Sequence, residues 1–118
     1  IHKIHRGAEL ENLPYIVYGY RSSVHDYSEV HFPGDLRDCE ACHVEGSYGL
    51  PLPEGALPTY SPAAMIPEMG PQTATCLSCH DGDATASHAL ANTSELGESC
   101  AACHGEGKSY AVEKVHAR

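Results

Sequence analysis

Three pentapeptides carry the chemistry of this chain: Cys39-Glu40-Ala41-Cys42-His43, Cys76-Leu77-Ser78-Cys79-His80 and Cys100-Ala101-Ala102-Cys103-His104. Each reads Cys-x-x-Cys-His, the spacing that attaches haem c covalently. Two thiols one helical turn apart add to the two vinyl groups of one porphyrin, and the adjacent His then reaches the iron from the proximal side. All six cysteines fall inside the three motifs, so the thiols account for three haems with none left over. A zinc site would need a second pair of ligands close by, and has no need of a His directly after each pair. A thioredoxin-like redox site would show its motif once, near a βαβ pattern that is missing here. Structural disulfides leave the three His residues unexplained.

Removing the proximal His43, His80 and His104 leaves His2, His5, His25, His31, His88 and His116 as candidates for three sixth positions. In an ordinary protein most of these would be surface residues. Beside three irons, neutral imidazole is a good axial ligand, and Met is its chief rival, raising the potential. Met65 and Met69 lie in a Pro-rich stretch and leave one His/Met site open. The excess of His favours bis-His coordination throughout. Such an iron has no open position for oxygen, nitrite or peroxide; it reorganises little on reduction and passes electrons.

The elements that must position these groups follow from local signals. His2 and His5 are three apart and share a face if the chain is helical there, with Gly7 as a stop. Residues 13–20 are rich in β-formers and predict a short strand, joined through Arg21-Ser22-Ser23 to a second over Val24–Phe32. Asp35 is placed to cap a helix at the first motif. Between His43 and Cys76 the prolines at 51, 53, 58, 62, 67 and 71 exclude helix over most of the segment. Tyr48, Leu50, Leu57, Tyr60, Met65 and Ile66 give that segment, about residues 44–75, enough apolar surface to be an ordered, extended arm. Ala84–Ala91 suggests a short helix carrying His88. Tyr110–Arg118 predicts a last helical turn or two, with His116 near its end.

Length and composition set the scale. With 118 residues, the chain is a single domain, 1–118, by the size prior. One Phe, no Trp and two Met make a poor protein core. The expected fold is mostly irregular coil with short α-helices and a small β-hairpin near the N-terminus, wrapped around three covalently bound haems that supply most of the core. The net charge of −9 argues against nucleic acid as a partner, and no apolar run approaches membrane-spanning length. Because haem is attached outside the cytoplasm, and the sequence begins at Ile1 instead of Met, an exported precursor is expected; a fragment of a longer chain would look the same.

Several stretches together resemble the outer-membrane decahaem cytochromes of metal-reducing bacteria. These are Ile1–Gly7, Ser28–Leu36 running into the first motif, Cys76–His80 with His88 downstream, and Cys100–His104 followed by Ala111–His116. The match covers nearly the whole chain and looks like the C-terminal end of that family, with three motifs here against ten. The resemblance implies short helices and irregular coil around stacked bis-His haems. It also implies carriage of electrons to extracellular acceptors such as iron oxides, flavins or other cells. By position, His88 and His116 resemble distal ligands, and His2/His5 resembles the family's His-x-x-His ligand pair. His25 and His31 stay in reserve.

The leading functional expectation is therefore a non-enzymatic protein of extracellular or cell-surface electron transfer. The surplus His at the N-terminus adds the expectation of end-to-end self-association, as in a conductive filament, or of docking to other multihaem cytochromes. Two other readings stand beside it. One is a soluble periplasmic tri-haem shuttle, although such carriers often dock through Lys-rich faces that this acidic chain lacks. The other is a haem redox enzyme or gas sensor with an open iron.

Overall fold

A computed structural model describes residues 1–44, 46–61 and 66–116. The N-terminal helix α1 (His2–Arg6) ends at Gly7, whose φ of 41° lies in the left-handed region that favours glycine. A Cβ on Gly7 would run into the Val30 carbonyl oxygen, and the next residue donates its N–H to that same oxygen at 3.0 Å. The helix is thereby fastened to the segment leading into the first motif.

Strands β1 (Ile16–Tyr18) and β2 (Val24–Asp26) pair antiparallel, with Val17 opposite His25. Arg21 and Ser22 at the turn both have positive φ, 56° and 59°, the primed-turn geometry that matches the twist of a hairpin. The second strand is shorter than the expected Val24–Phe32. Asp26 accepts the Ser28 N–H at 2.9 Å and the Val30 N–H returns to the Tyr27 carbonyl, so the chain turns there instead of extending. Asp35 does not cap a helix. It accepts the Arg37 N–H and pairs with the guanidinium at 2.9 Å, and the first motif begins as a single 3₁₀ turn, Cys39–Ala41.

The Pro-rich arm is ordered in part by pairing with itself: β3 (Thr59–Tyr60) lies antiparallel to β4 (Glu68–Met69). Its last residues are helical, a correction to the extended arm, because Pro71 sits in the first turn of α2 (Pro71–Cys76), where its missing N–H costs nothing. Pro62 and Met65 lie outside the described residues. The Ala-rich helix α3 (Asp83–Ala91) forms where the composition predicts it, and a hairpin that the sequence does not announce follows it, β5 (Thr93–Ser94) with β6 (Gly97–Glu98). Two short helices, α4 (Ala101–His104) and α5 (Val112–Val115), complete the order.

The apolar core is small. Leu10, Leu50, Met69, Ala86, Ala89 and Ala111 are the buried hydrophobic residues among those described, half of them alanine. The accessible surface is 8404 Å², against about 6200 Å² for a compact monomer of this mass. The radius of gyration is 14.8 Å, against about 13.5 Å for a compact chain of this length. The polypeptide is thus less compact than its mass and length allow, which leaves room for groups other than its own side chains.

Candidate haem centre

The three motifs adopt one local geometry. In each, the second Cys N–H and the His N–H both point to the carbonyl of the first Cys. The His bonds measure 2.8 Å for His43 to Cys39, 2.9 Å for His80 to Cys76 and 2.9 Å for His104 to Cys100. This one turn puts the two thiols on one side and swings the imidazole past them, which is the task the spacing requires. None of the six cysteines is in a disulfide.

Each motif His faces one of the surplus His residues. Ring centroids are 5.8 Å apart for His2 and His43, 6.0 Å for His80 and His116, and 6.2 Å for His88 and His104. Two imidazoles bound to opposite sides of one metal, with bonds of about 2 Å and roughly 1 Å from nitrogen to ring centre, stand about 6 Å apart. The three gaps fit a metal held between two rings. The other candidates make no ring contact with a motif His, although His5 lines the same cavity as His2 and His43. His5 packs on Phe32, with centroids 5.0 Å apart. His25 is exposed on the hairpin beside the Ser23 hydroxyl, and His31 is exposed. Met69 is buried in β4 and is not among the residues lining the cavity at the motifs.

Outer contacts orient several of these rings. His104 Nδ1 lies 2.9 Å from the Tyr110 carbonyl, and His116 Nδ1 lies 3.1 Å from the Val112 carbonyl. A ring that donates through Nδ1 presents the Nε2 lone pair to a metal and becomes a stronger donor, as hydrogen-bonded His ligands do in other metal sites. Burial above all lowers the pKa of His2, with the N-terminal ammonium and then His43 and His5 adding to it, and favours its neutral, ligating form. Tyr48 packs edge-on against His43 and its hydroxyl donates to Glu40 at 2.9 Å. The Asn92 side chain donates to the His88 carbonyl at 2.8 Å, steadying the last turn of α3.

Two carboxylates that sequence reasoning missed hold this assembly together. Glu98, from β6, accepts the N–H groups of Gln72 and Thr73 at 3.0 and 2.6 Å, capping the open end of the helix that runs into Cys76. Asp81, next to His80, accepts the Glu11 and Asn12 N–H groups, each at 2.9 Å, and its carbonyl receives the Asn12 side chain. Burial raises the Asp81 carboxyl, but those N–H groups and Lys3 outweigh it and leave it below its ordinary value. Both contacts span long sequence separations, so no local motif announces them.

The first two motifs open onto one cavity of about 420 Å³, a size ordinary for cofactor sites. Its walls include His2, Cys39, Cys42, His43, Cys76, Cys79, His80 and His116. Burial pushes the Cys76 thiol up, with Cys100 adding to it; burial also pushes up Cys79, against the pull of Arg6 and with help from Asp81 and Cys39.

The family model of outer membrane cytochromes, MtrC/MtrF-like, domains II/IV, matches residues 1–117. The chain belongs to this family. No curated protein and no solved structure matches it. As an MtrC/MtrF-like domain it is a multihaem outer-membrane cytochrome unit of electron transfer, with haem c as the cofactor its family implies and an exported, cell-surface setting. The short helices and small antiparallel hairpins are consistent with that assignment. Among the described residues, no helix is long and apolar enough to cross a membrane.

Proposed function

We propose that this MtrC/MtrF-like domain carries electrons through three closely spaced c-type haems, each held by two imidazoles. Cys39 and Cys42, Cys76 and Cys79, and Cys100 and Cys103 hold the porphyrins; His43, His80 and His104 are the proximal ligands. His2, His116 and His88 are their respective distal partners. The observation that carries the reading is the sorting of the surplus His: each motif imidazole has one of them facing it, at 5.8 to 6.2 Å. Bound there, haem would supply one-electron exchange.

The chain's own residues do the rest. The paired rings close the iron to small oxidants, and the carbonyls of Tyr110 and Val112 fix two of the rings. The acidic surface would suit a cationic or metal-bearing acceptor, so iron oxides and other multihaem cytochromes are the partners proposed. This favours a carrier over an enzyme or gas sensor with an open iron. With His2, His88 and His116 all assigned within the chain, no iron is left for a donated His, so end-to-end assembly into a filament would rest on other contacts.

The test uses holoprotein matured with covalent haem. Mass spectrometry should find three haems, and the oxidised protein should be wholly low-spin. His2→Gly, His88→Gly and His116→Gly should each turn one haem high-spin, while His25→Ala and His31→Ala should leave the spectrum unchanged. A high-spin haem in the unsubstituted oxidised protein would overturn the reading.

A further inference from the structure

Resting on that reading of the three pairs, we propose that the haems lie in a line in sequence order. The one on Cys76 and Cys79 is in the middle, and His116 closes it from beyond the third motif. On one side, no wall separates the first two sites: Cys39, Cys42 and His43 line the same cavity as Cys76, Cys79 and His80. On the other side, the third site is fastened to the second. Helix α2 ends at Cys76, and its N-terminus is held by Glu98, two residues before Cys100. The segment after His104 then turns back. Its Tyr110 carbonyl holds the His104 ring, and its His116 ring meets His80.

None of His88, Cys100, Cys103 and His104 lines the cavity shared by the first two sites. The third site therefore meets the second without entering that cavity. Helix α5 also borders the first motif, since Val112, Glu113 and His116 line a second cavity with Cys39 and Glu40. The second motif is the one that both shares the main cavity with the first and continues from the helix held by Glu98.

This order gives the C-terminal helix a role that its position in the sequence conceals. The distal ligand of the first site comes from α1 and that of the third from α3, each upstream of its motif. The distal ligand of the second comes from after the third motif. Loss of α5 and His116 should thus open the central iron and interrupt the path between the outer two.

Two measurements on the holoprotein test the two halves separately. Anomalous diffraction at the iron edge places the three irons. The expected result is that the irons of the first and third motifs are the farthest pair; finding them nearest to one another overturns the order, whatever ligates them. Titration of the dithionite-reduced protein with carbon monoxide tests the closure. The parent should bind none and His116→Gly one per three haems, with His116→Met, which restores a sixth ligand, binding much less. If His116→Gly binds none and stays low-spin, the pairing with His80 falls, while the order still stands or falls on the iron positions.

Discussion

The imidazoles of His88 and His104 stand almost perpendicular, at 87°, with centroids 6.2 Å apart, whereas the other two pairs are inclined at 47° and 55°. On a ferric iron, two crossed imidazoles direct their π-donation into different d orbitals, and the splitting each would cause cancels. Nearer-parallel rings add their effects. The third site should therefore give a low-spin electron paramagnetic resonance signal of large gmax, distinct from two more rhombic signals. His88→Gly should abolish the large-gmax signal and spare the others. Three indistinguishable signals would contradict the assignment of these rings.

Glu98 predicts a loss of stability without loss of a ligand. In Glu98→Ala the Gln72 and Thr73 N–H groups lose their acceptor, which should cost about 1–2 kcal/mol, as removal of a helix cap does. Asp81→Ala should cost about 1–3 kcal/mol by stranding the Glu11 and Asn12 N–H groups. Thermal unfolding of the holoproteins, followed by circular dichroism, measures both. Midpoints unchanged from the parent would show these contacts to be idle.

Gly7→Ala should be harmful although the side chain gained is one methyl. The left-handed φ of 41° alone costs roughly 1 kcal/mol for a residue with a Cβ, and that Cβ meets the backbone oxygen of Val30. Because α1 carries His2, the first haem should show partial high-spin character along with the lower melting point. A variant with parental melting and a fully low-spin spectrum would count against the tight packing of this helix on the segment before the first motif.

Cys79→Ser tests whether the haems are the core. With only six hydrophobic residues buried among those described, a chain that loses an attachment point should fail to hold a compact two-haem form. Limited proteolysis and hydrodynamic radius should report an opened chain. Near-native melting of such a variant would show that the polypeptide packs well enough alone.

Much of this architecture is legible in the amino-acid sequence itself. The Cys-x-x-Cys-His spacing dictates the local turn, Gly7 stops the helix that carries His2 and His5, and the alanines of residues 84–91 make the helix that carries His88. The family resemblance singles out His88 and His116. It does not divide His2 from His5, because helical periodicity places both on one face; the packing of His5 on Phe32 and of His2 beside His43 separates them. Glu98 and Asp81 are illegible for another reason. Each acts on backbone groups 25 to 70 residues away, and a carboxylate that will cap a distant helix looks like any surface acid. The strand expected to reach Phe32 stops at Asp26 because a side-chain acceptor offers the chain a turn at that point.

The arrival of His116 from beyond the third motif also sets a sequence of events in time. A chain that emerges from an export channel N-terminus first brings out His2 before the first motif and His88 before the third. On the proposed pairing, each outer iron can gain its second imidazole soon after its own cysteines appear. The middle one must wait until the third motif and the helix after it have emerged. During that interval the middle site is the open one, so of the three it would close last, where conduction depends most on completeness.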